Sequence, residues 1–118
     1  MSTNIIFDNI IAEGPVPANR IKQAIIKTAG IVAKAAGIDS NIHIINIEYR
    51  ADWSDLEDQN HVYTFVGASE GGQHQFNGSV NMAPSARKGW FCFDPLLNDP
   101  DREEFFQPMV DQFKKRVQ

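Results

Sequence analysis

The side chains best able to do chemistry are three histidines, a single cysteine and a knot of carboxylates. Acid–base or metal chemistry needs such groups to converge. His43, His61 and His74 have no partner histidine at a local metal-ligand spacing. On the strand pattern below they fall on separate strands or strand ends. His61 lies opposite Met82 at one end, and His74 lies near Ser69 on a face of small polar residues. Asp52, Asp55, Glu57 and Asp58 offer oxygen ligands to a hard cation. Their spacing lacks the EF-hand pattern and its central glycine, so a solvated loop is the plainer reading. Ser79 has no strand-to-helix elbow of the hydrolase kind. Gly67, Gly71, Gly72 and Gly78 lie in a hairpin with no helix N-terminus behind them, which is not a phosphate-cradling arrangement. Cys92 sits in the apolar run Trp90-Phe91-Cys92-Phe93 and reads as a small packed hydrophobe. No catalytic residue, metal ligand or cofactor contact is assigned, and the reading is non-enzymatic.

The elements that position these groups follow from periodicity. Ile21, Ile25, Thr28, Val32 and Ala36 recur at steps of four, three, four and four. That is the period of about 3.6 residues of a helix with one buried face, expected over Pro17 to Ala36. Gly37 followed by Ile38 predicts a Schellman stop. Gly30, inside the helix, suggests a close approach to the sheet. Arg20, Lys27 and Lys34 repeat every seven residues as one exposed basic line, which is a solvated face or a contact line for an anion.

Strands flank this helix. Asn4 to Ile11 reads as the first. Asn41 to Trp53 reads as the second, with His43, Ile45, Ile47, Tyr49, Ala51 and Trp53 on the apolar parity and Asn46, Glu48, Arg50 and Asp52 on the wet one. Ser54 followed by Glu57 fits a capping box and a single helical turn. His61 to Met82 reads as a hairpin turning at Gly71-Gly72, where both residues tolerate positive φ. In that register 66 opposes 77 and 63 opposes 80. Tyr63, Phe65, Phe76, Val80 and Met82 then share one face, with Gly78 across from Phe65. Ala83 to Gly89 reads as a turn and Trp90 to Leu96 as the last strand. Asp99 to Val117 reads as a second helix with acidic and basic residues at its complementary ends, a stripe of Phe105, Met109, Phe113 and Val117, and a kink or split at Pro108.

These elements predict an α+β fold. It is a four- to five-stranded, mainly antiparallel sheet packed by one long N-terminal helix, with a second helix at the C-terminus, in the order β-α-β-β-β-β-α. The 118 residues suit a single compact domain spanning 1–118. A strand, a long helix and antiparallel strands are also the order of cystatin-like modules, and the α-β-β-β-α part is similar to double-stranded-RNA-binding domains. No family motif accompanies either likeness, and the acidic start of the second helix departs from the lysine-rich end an RNA module needs.

The opposite face of the hairpin is the most informative surface. It carries Val62, Thr64, Val66 and Ala68 against Asn81, Ser79, Asn77 and Gln75, polar yet uncharged. Solvent faces more often carry Lys and Glu, whereas interfaces are depleted in charge at their centre. The expected function is therefore a protein-interaction or assembly subunit, such as a small virion, accessory or inhibitor-type component. Its partner-binding residues would be Thr64, Val66, Gln75, Asn77, Ser79, Asn81 and Trp90, engaging a protein partner or a second copy. Cover from a loop or the second helix is the plainer alternative.

Two other functions stay open. One is a single-stranded nucleic-acid module using Lys27, Lys34, Arg87 and Lys88 beside Trp90. The net charge of -4 disfavours general duplex binding. The other is a small-ligand or enzymatic pocket between the long helix and the sheet. No cofactor is expected. The lone cysteine fits a reducing compartment. No run approaches the roughly 20 apolar residues of a membrane span, so a cytoplasmic protein without a membrane partner is expected.

Overall fold

The computed structural model of the chain describes residues 4–8, 14–55, 57, 59–85, 89–92 and 107–115. Five strands, β1 (Ile5–Phe7), β2 (Ile42–Tyr49), β3 (His61–Ser69), β4 (Gln75–Ser85) and β5 (Gly89–Cys92), form one sheet in sequential order. Helix α1 (Ala18–Ala36) connects β1 to β2, and α2 (Gln107–Lys114) follows the sheet. The β1–β2 pair is parallel and the other pairs are antiparallel. This is the expected α+β class and element order.

Helix α1 forms as its stripe predicts. Ile21, Ile25, Ala29, Val32 and Ala33 are wholly buried. The Thr28 hydroxyl, buried among them, donates to the Ala24 carbonyl at 3.0 Å. Gly37 closes the helix at φ 72°, with its N–H on Lys34 O at 3.2 Å and the Ile38 N–H on Ala33 O at 3.0 Å. That pair of bonds is the Schellman stop. Gly30 does not owe its place to close approach, because no atom lies within 4 Å of where its Cβ would stand.

The β3–β4 hairpin keeps the expected register, with Tyr63 opposite Val80 and Val66 opposite Asn77. Gly71 and Gly72 both take positive φ, inside a short turn over Glu70–Gly72. Tyr63, Phe65, Phe76, Val80 and Met82 are buried on the helix side. Gly78 lies under Phe65, and Gly67 lies under Phe76. His74 departs from expectation. Its backbone lies beside Ser69, but its ring is on the helix side, where Nδ1–H donates to the Phe113 carbonyl at 2.9 Å.

The second strand differs more. A bulge between Ile44 and Asn46 inserts Ile45 as an extra residue. An inserted residue reverses the alternation. Ile42 and Ile44 before it and Ile47 after it therefore all face the core, while Ile45 is 42% exposed. His43 leaves the apolar set for the opposite face. The strand ends at Tyr49, so Ala51 and Trp53 stand exposed in a turn rather than in a buried row. Ser54 caps no helix. Its hydroxyl donates to Arg50 O at 2.8 Å and accepts from the Val62 N–H at 3.0 Å, tying the ends of β2 and β3 together.

The stretch Ala83–Ser85, expected as a turn, continues β4 and pairs with β5. Pro84 is tolerated because β3 stops at the pair His61–Met82, leaving β4 a neighbour on one side only there. The expected strand beyond Cys92 and the first half of the expected second helix lie outside the described residues. Pro108 is the second residue of α2 as described, and the residues preceding α2, where the expected kink or split would show, lie outside the described residues. Val110 and Phe113 join the same core as α1.

The glycines of α1 and β4 have opposite expected responses. Gly30→Ala should raise stability by about 0.5–1 kcal/mol, since space is free and the helical φ suits alanine. Gly78→Ala should lower it by about 1–3 kcal/mol, because the new methyl would stand 2.5 Å from Phe65 Cζ. Urea denaturation of the two variants beside the parent checks both signs.

Candidate binding groove on the open sheet face

Both helices bury their residues in one core with Ile42, Ile44, Ile47, Tyr63, Phe65, Phe76, Val80 and Met82. Among the described residues, nothing packs as a layer on the other face of the sheet. That face holds a groove of about 520 Å³ across β2, β3 and β4. Thr64, Val66, Asn77 and Ser79, expected from the register to share a face, line it. Gln75 and Asn81 share the face but stand outside the lining. The Gln75 amide instead reaches Gly72 O at 3.5 Å. Trp90 has its backbone in β5 opposite Pro84. The space expected to hold a pocket, between α1 and the sheet, is filled by wholly buried side chains from both. The hollow is on the opposite side.

Of the cationic set, Lys27 and Lys34 are exposed on α1, the helix packed on the far face of the sheet. Arg87 and Lys88 lie outside the described residues. The groove therefore does not gather these four lysines and arginines as one site.

Five lining residues were given no site role from the sequence: Asn46, Glu48, Arg50, Trp53 and Met109. The first three are the polar alternates of β2, and that alternation was the available signal. Trp53 is 54% exposed, and its ring packs against the Arg50 guanidinium, 4.2 Å from centroid to Cζ. Arg50 is held in turn by a two-point bond to Asp52, at 3.0 and 2.7 Å. That bond holds the Asp52 carboxyl below the usual carboxylate range. It also sets a carboxylate against the guanidinium in a charge-assisted pair.

Edge protection comes from α2. Among the described residues, β5 pairs with Met82 to Ser85 and no strand neighbour stands along the preceding edge of β4. Gln112 Oε1 accepts the Asn77 N–H there at 2.7 Å. A helix side chain thus covers a backbone donor that would otherwise invite strand addition.

The three histidines stay apart. His61 Nδ1 is hydrogen-bonded to the Tyr49 hydroxyl at 3.0 Å on the helix side, and His74 is bonded to α2. His43, at the β1 end of the open face, lies between two carboxylates. Its Nδ1 is 3.0 Å from Asp8 Oδ1 and its Nε2 is 3.0 Å from Glu70 Oε2. Carboxylates only accept, so this geometry calls for both ring protons. The two bonds raise the histidine above its ordinary pKa, against a small opposing effect of burial. Among the described residues no three His, Cys, Asp or Glu side chains cluster in a metal-binding arrangement, and no helix is long and apolar enough to cross a membrane.

No known protein family, curated protein or solved structure matches this chain.

The His43 clamp joins the end of β1, β2 and the hairpin tip, and its contribution depends on pH. Because the folded-state pKa is raised, the stabilisation is fully present below the unfolded value of about 6.5 and is lost as pH rises through the folded value. Denaturation series from about pH 6 to about pH 9 should show the parent losing stability relative to His43→Gln. Parallel curves would remove the clamp.

Proposed function

We propose that the protein is a non-enzymatic interaction module, an assembly, accessory or inhibitor-type subunit of the cytoplasm whose protein partner docks on the open face of β2, β3 and β4. One observation carries this reading. Both described helices pack on one side, and on the other side β3 and β4 present uncharged residues to a groove that Glu48 and Arg50 of the β2 side also line. Thr64, Val66 and Ser79 are only partly exposed, and Val62 and Ala68 are buried beside them. A face so poor in charge at its centre has the composition of a contact surface. Exposed Ile6, on the same face beside His43, extends its apolar area.

A second reading rests on the groove itself. Its volume falls in the range of about 300–1,000 Å³ typical of ligand sites. It replaces the helix–sheet pocket with a hollow on the opposite face.

Docking is tested by the double variant Asn77→Lys, Ser79→Lys. Two charges at the groove centre should abolish association, read as solution mass by light scattering on the untagged protein, while the melting temperature stays close to the parent's because neither side chain is in the core. Association that persists in the double variant would falsify the assignment of this face.

A further inference from the structure

We propose that the groove binds a neutral oligosaccharide, with Trp53 as the stacking platform and Asn46, Thr64, Asn77 and Ser79 as its hydrogen-bonding lining. This rests on the open face being the binding face and names the chemistry of what it takes.

The first argument is hydrogen-bonding capacity. Asn46, Thr64, Asn77 and Ser79 converge on one hollow from three adjacent strands. Among the described residues their side chains make no hydrogen bond; the bond from Asn77 to Gln112 uses the backbone N–H. Amides and hydroxyls each both donate and accept. A ligand that answers all four must do the same at closely spaced points, and a sugar ring's hydroxyls do.

The second argument is charge. Asp52 engages the guanidinium of Arg50, and Glu48 stands in the lining beside it. A phosphate or carboxylate ligand would meet Glu48, and among the described lining residues the cation, Arg50, is already engaged by Asp52, which disfavours nucleic acid and acidic sugars. The β3 and β4 part of the lining carries no charge, and Glu48 is the carboxylate on its β2 side.

The third argument is shape. Trp53 has one ring face against Arg50 and more than half its surface open at the end of the groove. An indole presents a flat apolar plane, which suits the C–H face of a sugar ring while its hydroxyls point to the lining. An extended peptide would gain affinity by adding a strand to a sheet edge. This groove lies on a sheet face, where the backbone groups of β3 are paired to β2 and β4.

Isothermal titration calorimetry of the full chain against maltotriose, cellotriose, mannotriose, xylotriose and chitotriose tests this, with sialyllactose and a trinucleotide as charged comparisons. At least one neutral trisaccharide should bind saturably. Trp53→Ala and Asn77→Ala should each weaken it by about tenfold or more. Trp53→Phe should retain part of it, because a smaller ring still stacks. If either alanine variant melts early, Thr64→Val supplies the same test from within β3. The proposal is overturned if no neutral trisaccharide binds at millimolar concentration. It is also overturned if binding is unchanged in all the variants, or if the charged ligands bind better. A silent panel alongside loss of association in the double lysine variant sinks the saccharide and leaves protein docking in place. Trp53-dependent saccharide binding with association untouched by the lysines supports the saccharide and removes the docking assignment.

Discussion

Two phenylalanines packed over two glycines set the geometry of this fold. Phe65 lies over Gly78 and Phe76 over Gly67, each pair directly opposed in the β3–β4 ladder. Any side chain at either glycine would occupy the space of the ring. The exchange lowers both rings onto the sheet and sets them edge to face, with centroids 5.7 Å apart. Phe76 then meets Phe113 of α2 at 4.8 Å. One aromatic cluster therefore seats the second helix. A hairpin slipped by one residue would set Phe65 opposite Asn77 or Ser79 instead of Gly78, and would turn the apolar set of one strand outward.

That commitment leaves the sheet one-sided. With α1 and α2 on the same face, the other face must be stable in water or against something else. Along β3 and β4 its solution is neutral, short amides and hydroxyls flanking Val66, while Glu48 of β2 stands opposite Thr64 and the paired ionic groups sit at the ends. Arg50 and Asp52 pair at one end, and His43 joins Asp8 and Glu70 at the other. Margin charges hold the strand ends and the hairpin tip in place. The centre is left with side-chain amides and hydroxyls that make no hydrogen bond among the described residues. This contrast between charged β2 residues and end pairs and a neutral β3–β4 surface is what the proposed binding role rests on, for a protein surface or a sugar.

Helix α1 and the β3–β4 hairpin were legible because their signals are local. A stripe of apolar residues at helical spacing, a Gly-Ile stop and two turn glycines each act within a few residues of themselves. The second strand was legible only in part. Ile44 and Ile45 are adjacent and alike, so the sequence does not reveal which of them is the inserted residue. Pairing with β3 decides that, and it sends Ile42, Ile44 and Ile47 inward together while moving His43 outward. The end of the strand was misplaced for a related reason. The run Ala51–Trp53 keeps the alternation, but Ser54 bonds back to Arg50 and turns the chain.

The candidate site divides the same way. Periodicity alone placed Thr64, Val66, Asn77 and Ser79 together on an uncharged face, because period two in a fixed register determines which side chains share a side. The sequence could not place Asn46 and Trp53 beside them. Their distance from the hairpin along the chain is bridged only by the bulged β2–β3 pairing and the Ser54 tie. Nor could it show that the hollow lies away from α1. Side-chain volume decides that, since the helix-side space is filled by isoleucine, valine and phenylalanine side chains. Local patterns determine which residues face one another across a hairpin. Which faces remain open, and what gathers at them, depends on packing between distant segments.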